Sequence, residues 1–175
     1  MRYHNITKCD MLNGDGLRVV IWLAGCNHYC KNCQNPITWD PNGGLEFTTD
    51  EICEIYEELS KPYVSGLTIS GGDSLYPANR EQVRMLCQFL KKEFPNKNIW
   101  LYTGFLFDEI KDLPVMEFAD VVVDGPFIEE LKDTKLHWRG SRNQKIYRKV
   151  DGEWRVDDEG NELERRSSEA GKCCR

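Results

Sequence analysis

The sequence predicts an α/β fold with a mainly parallel sheet, left open rather than closed into a full barrel. Three observations carry this. Four short, β-branched apolar runs alternate with helical segments, the pattern of repeated βαβ units. Each run ends at once in a cluster of Gly, Asp or Cys. The 175 residues suffice for about four to six βα units, whereas a closed eight-unit barrel takes about 200 residues or more.

The first run, Leu17-Arg18-Val19-Val20-Ile21-Trp22-Leu23, is almost wholly apolar, as a buried strand must be. Gly25 ends it and a cysteine cluster follows. Pro36, Pro41, Asn42, Gly43 and Gly44 then mark a loop. Thr48 and Glu51 fit a capping box. The helix it opens places Ile52, Ile55, Tyr56 and Leu59 on one face and Glu51, Glu54, Glu57 and Glu58 on a solvated one. Leu67-Thr68-Ile69-Ser70 is the second strand, ended by Gly71-Gly72-Asp73. A second helix is expected from Asn79 to Phe94, with Val83, Leu86, Cys87 and Leu90 as its apolar stripe and Pro95-Asn96 as its stop. Asn98 to Tyr102 is the third strand, followed by Thr103-Gly104. A short helix fits Asp108 to Leu113, before Pro114. Val121-Val122-Val123 is the fourth strand, followed by Asp124-Gly125-Pro126.

Right-handed crossovers put the C-terminal ends of parallel strands on one edge, where sites of such sheets lie. All four marked turns therefore fall on the same edge, which predicts one composite site. The rest of the chain differs. Lys135 to Lys149 holds six bases and no acid, which reads as a docking surface with Trp138 and Arg139 as anchors, or else as a solvated charge face. Residues 150 to 175 turn polar. They are expected as a flexible tail behind a domain spanning residues 1 to 149.

Composition removes several function classes. There are 29 acidic and 23 basic residues, a formal net charge of -6, which argues against coating nucleic acid. Hydrophobic residues make up 40% and aromatics 11%, which argues against general disorder. No stretch approaches the roughly 18 apolar residues of a membrane span, and the first residues lack a secretory apolar core. A cytoplasmic, reducing setting is the expectation.

In such a setting eight cysteines call for metal before disulfides. Cys26, Cys30 and Cys33 form C-x3-C-x2-C directly after the first strand. Three thiolates on one short loop can grip three corners of a four-iron cluster and leave one iron open to a small molecule. Cys9, Cys53 and Cys87 read as packing residues, and Cys173-Cys174 as part of the tail. A zinc-stabilised interaction domain is the non-enzymatic alternative, with His28 as a fourth ligand. Against it, Cys-x-His is an awkward bite, and closed zinc sites more often join two paired-ligand knuckles.

The C-x3-C-x2-C motif resembles the signature of the radical S-adenosylmethionine (SAM) enzymes. Ser70-Gly71-Gly72-Asp73 sits where that superfamily has its Gly-Gly-Glu-type segment, with Asp in place of the commoner Glu. Four further segments narrow the likeness: Asn13-Gly14-Asp15-Gly16-Leu17-Arg18, Trp100-Leu101-Tyr102-Thr103-Gly104, Val123-Asp124-Gly125-Pro126-Phe127, and Leu136-His137-Trp138-Arg139-Gly140-Ser141-Arg142-Asn143-Gln144. Together they resemble the activating enzymes of anaerobic (class III) ribonucleoside-triphosphate reductases, over residues 1 to about 148.

The resemblance implies an open partial (β/α) barrel of the radical SAM type. It implies one 4Fe-4S cluster per chain on Cys26, Cys30 and Cys33. It implies SAM bound by Asn32, Cys33, Gln34, Gly71, Gly72, Asp73 and Asp124, with no catalytic residue beyond cluster and cofactor. The implied reaction forms a 5′-deoxyadenosyl radical that takes hydrogen from a glycine of the reductase. The implied partners are the reductase catalytic subunit, in a complex with its dimer, and an external one-electron donor of flavodoxin type. A radical SAM enzyme acting on another protein, peptide or small molecule is the enzymatic alternative. From the residues alone, Gly71-Gly72-Asp73 also fits a plain βα turn, Asp124 a turn cap and Tyr102 core packing.

Overall fold

The computed structural model describes residues 1 to 157. The chain order is β1 (Arg2–Asp10), β2 (Leu17–Leu23), β3 (Leu45–Glu46), α1 (Thr49–Leu59), β4 (Val64–Gly71), α2 (Arg80–Glu93), β5 (Asn98–Tyr102), α3 (Phe107–Ile110), β6 (Val121–Asp124), β7 (Lys145–Val150) and β8 (Glu153–Val156). Short 3-10 turns at Pro36–Thr38, Pro114–Glu117 and Glu129–Leu131 fill the connections. No helix of the described residues is long and apolar enough to cross a membrane.

All eight strands form one open sheet in the order β3-β1-β2-β4-β5-β6-β7-β8. The pairs β2–β4, β4–β5 and β5–β6 are parallel. They are joined by helical crossovers, as the alternating pattern predicts. The expectation of a mainly parallel sheet needs correction, because antiparallel pairs flank this core on both sides: β3–β1 and β1–β2 at one end, β6–β7 and β7–β8 at the other. β1 mixes polar and apolar residues without a clean alternation, so no periodicity marks it. The expected boundary after residue 149 falls within paired strands. It cuts the β7–β8 hairpin, in which Val150 pairs with Glu153 and Lys149 with Trp154. The remainder of the expected tail, from residue 158 and including Cys173-Cys174, lies outside the described residues.

The period-2 alternation of the central strands separates two faces. Val19, Ile21, Leu23, Leu67, Ile69, Ile99, Leu101 and Val122 turn one way, packing with Ile55 and Leu59 of α1 and Val83, Leu86 and Leu90 of α2. On the opposite face Trp100, Val123 and Ile146 form a smaller cluster, against which Tyr102 and Trp138 pack. Arg18 is fully buried on that face. It donates to Thr68 Oγ1 (2.7 Å), the Leu67 carbonyl (2.7 Å) and Asn98 Oδ1 (2.6 Å), among others, and lies over the Trp100 ring. Burial lowers its pKa to about 10.

The capping box at Thr48 is formed as predicted: Thr48 Oγ1 accepts from the Asp50 N–H and Glu51 Oε2 accepts from the Thr48 N–H. Glu58 departs from the expected solvated face of α1. It is buried and pairs with Lys61 and Lys8.

Candidate metal and cofactor site

The polar face carries a cavity of about 370 Å³ at the C-terminal ends of the parallel strands. Ser70 and Gly72 reach it from the end of β4, Tyr102, Thr103 and Gly104 from the end of β5, and Gly125 from the turn after β6. Cys26, His28, Cys30, Cys33 and Gln34 of the loop after β2 complete that wall. The four marked turns thus meet at one place, because parallel pairing stacks their strand ends side by side.

The three cysteines share this wall. Asn35 N–H donates to Cys33 Sγ at 3.4 Å. The backbone N–H groups of His28 and Phe127 favour the thiolates of Cys26 and Cys30. Burial pushes the Cys26 thiol up to about 11 and raises that of Cys30, and these N–H groups oppose it. N–H groups aimed at sulfur stabilise thiolate, the form that binds metal, and tune iron–sulfur clusters. The donor set therefore fits a thiolate-bound cluster. Among the described residues no three His, Cys, Asp or Glu side chains converge as a single ion requires. The loop bends through left-handed backbone at Tyr29 and Asn32, with φ of 48° and 56°.

The predicted cofactor residues divide. Gly72 lines the cavity, and only glycine fits there: a Cβ would lie 2.5 Å from the Gly25 carbonyl oxygen and 2.8 Å from that of Thr38. Cys33 and Gln34 also line it, whereas Asn32 is exposed outside it and Gly71 is set back in the β4–β2 pairing.

Asp73 is fully buried and stands behind the wall. Its carboxylate accepts from Leu75 N–H, Thr103 Oγ1, Gly104 N–H and His28 Nε2. Its oxygens are thus occupied by protein donors, and Asp73 does not line the cavity. Asp124 is likewise held by protein donors. It is 4% exposed and accepts from Phe107 N–H (2.8 Å) and Lys145 N–H (3.0 Å), so it caps α3 and starts β7. Burial raises its pKa and the two N–H donors oppose that. This is the turn-cap reading of Asp124.

The segment around Trp138 also changes role. Trp138, Arg139, Gly140 and Gln144 line the cavity. Gln144 Oε1 accepts from Gly140 N–H and its Nε2 donates to the Gly125 carbonyl. Asn143 Nδ2 donates to the Pro126 carbonyl. Trp138 packs edge-on against Trp100. These residues form a wall of the cavity, held to the turn after β6. Nor is the basic run one free patch: Arg148 pairs with Asp15 and Asp157, and Lys149 Nζ donates to the Met116 and Glu117 carbonyls. Of the cysteines read as packing residues only Cys87 is buried; Cys9 and Cys53 are exposed.

Residues beyond the motifs also reach the cavity, among them Trp22, Trp39 and Asn13. Trp22 follows from strand alternation. Trp39 depends on how the loop beyond the cysteines folds back, with Cys26 N–H donating to its carbonyl.

Residues 12–147 match the family described as a 4Fe-4S single cluster domain. The chain is 45% identical over 157 residues to the anaerobic ribonucleoside-triphosphate reductase-activating protein of Enterobacteria phage T4, covering 90% of this chain and 100% of the relative. It is 41% identical over 152 residues to the protein of that name in Vibrio cholerae, covering 85% and 98%. For Salmonella typhimurium the identity is 38% over 151 residues, covering 84% and 98%.

Proposed function

The chain belongs to the family of anaerobic ribonucleoside-triphosphate reductase-activating proteins, and from that premise we propose that it is the radical SAM activase of such a reductase. Cys26, Cys30 and Cys33 would hold a 4Fe-4S cluster, with SAM in the cavity beside them. The observation that carries this reading is the placement of three cysteines of one short loop in one cavity at the strand ends. When bound, the cluster and SAM supply a one-electron cleavage of the sulfonium and a carbon radical that takes hydrogen from a glycine of the reductase.

The chain's own residues hold and shield. Gly72 lets the backbone approach a ligand closely, with Ser70 lining the cavity beside it. Trp22, Trp39, Tyr102 and Trp138 line the cavity with ring surface, which limits the water around a reactive species. The open sheet leaves the cavity without a second half-barrel, and the reductase itself would complete the enclosure, in a complex with its dimer. A flavodoxin-type protein would deliver the electron. The setting proposed is the cytoplasm.

The test is anaerobic incubation of the chain with reductase, SAM and reductant, read by electron spin resonance. A glycyl doublet on the reductase is expected, and Cys30→Ala should abolish both the doublet and SAM cleavage. Full SAM cleavage by that variant would sink the proposal. Cleavage by the unaltered chain with no doublet would point to another substrate. One tightly held zinc and no iron would point to an interaction domain.

A further inference from the structure

We propose that the hydrogen bond between Asp73 and His28 sets the shape of the loop on which Cys26 and Cys30 hold the cluster. His28 is then a positioning residue and Asp73 its anchor; this rests on the cluster reading above. His28 stands midway between Cys26 and Cys30, so a movement of its backbone moves both. Its ring is held on three sides. Nε2 lies 2.6 Å from Asp73 Oδ2. The ring packs edge-to-face with Phe105, centroids 4.7 Å apart. It also lies against Gly104, where a Cβ would come within 2.4 Å of it.

Asp73 is equally fixed. Its Oδ1 accepts from Leu75 N–H at 2.7 Å and Thr103 Oγ1 at 2.8 Å, and its Oδ2 accepts from Gly104 N–H at 2.9 Å as well as from His28. Its own N–H donates to the Gly25 carbonyl at 2.9 Å. One carboxylate therefore ties the ends of β4 and β5 to the cysteine loop. The loop needs such a tie, because Tyr29 and Asn32 occupy left-handed backbone that non-glycine residues adopt at a cost. Aspartate suits the position. A glutamate's extra methylene would push the carboxylate past four donors already at contact distance. Groups that orient metal ligands from behind change metal retention and spectroscopy when removed, even though they never touch the metal.

The experiment compares two substitutions in the full chain, loaded with iron and sulfide. His28→Phe keeps a ring against Gly104 and Phe105 but has no donor for Asp73. His28→Gln replaces the ring but keeps an N–H at about the reach of Nε2. The readouts are iron loss to a chelator and the electron spin resonance of the reduced cluster, neither of which needs turnover. H28F should lose iron about 10-fold faster and show shifted g-values, and H28Q should stay close to the unaltered chain. If H28F does not fold, His28→Asn, too short to reach Asp73, should show the same loss. The proposal is overturned if H28F, or H28N in its place, matches the unaltered chain in both readouts, or if H28Q is no better than either. An unaltered chain that holds no four-iron cluster overturns the cluster reading as well. An unaltered chain that holds one, with an indifferent H28F, overturns this proposal alone.

Discussion

Gly104→Ala tests whether the His28 ring is held as tightly as its contacts imply. Gly104 is not in left-handed backbone, so alanine meets no conformational penalty there; the obstacle is the imidazole 2.4 Å from the new Cβ. Two responses are open. If the ring stays, crowding costs about 1–3 kcal/mol. If the ring leaves, the bond to Asp73 is lost, about 1 kcal/mol, and so is the edge contact with Phe105, about 0.5–1.5 kcal/mol. Either way the cost is about 2 kcal/mol. A gain of about 0.4–1 kcal/mol from the stiffer unfolded chain offsets part of it. The net loss of about 1–2 kcal/mol corresponds to roughly 2–8 °C in Tm for a chain of this size. The assay is thermal unfolding of the anaerobically purified chain, in single variants and in a cycle with His28→Ala. With the ring gone, Gly104→Ala should become neutral or stabilising, a coupling of about 2 kcal/mol. An equal loss in both backgrounds would refute the reasoning, since the ring would not be what the Cβ strikes.

Thr48→Ala should lower stability by about 1 kcal/mol through loss of the α1 cap, seen as a lower denaturation midpoint; an unchanged midpoint would count against the cap. Asp124→Ala should cost about 2–3 kcal/mol, because the Phe107 and Lys145 N–H groups lose their charged acceptor, and amide exchange at both positions should accelerate. Native alkylation followed by peptide mass spectrometry should modify the exposed Cys9 and Cys53 and spare Cys87. Burial pushes the Cys87 thiol up to about 12 and keeps it protonated. Equal rates at Cys87 and Cys53 would contradict the packing.

Features written in contiguous residues are legible in the sequence. β2 and β5 have the predicted limits, α1 opens on the predicted capping box, and α2 carries the predicted stripe. These depend on periodicities and caps within about ten residues of chain. The cysteine cavity was readable too, because parallel strands with right-handed crossovers must gather their turns on one edge. β1 escaped notice because its side chains are half-buried on both faces and alternate weakly. The β7–β8 hairpin was hidden by polar residues that pay for burial through long-range partners, as Arg148 does with Asp15.

What the sequence determined by itself is therefore the parallel core, the edge on which a site must lie, and the three cysteines on that edge. The tertiary structure alone decided which predicted residues face the cavity. Asp73 and Asp124 carry charge in turns, where a ligand role is the natural expectation. Each is instead filled by donors from distant chain: His28, 45 residues away, for one, and Lys145, 21 residues away, for the other. Trp138 and Arg139, which composition alone would send outward, line the cavity because Gln144 and Asn143 bind their segment to the turn after β6. A carboxylate's type and local spacing say that it will accept hydrogen bonds; which donors reach it first depends on how separate elements pack, and local sequence does not encode that.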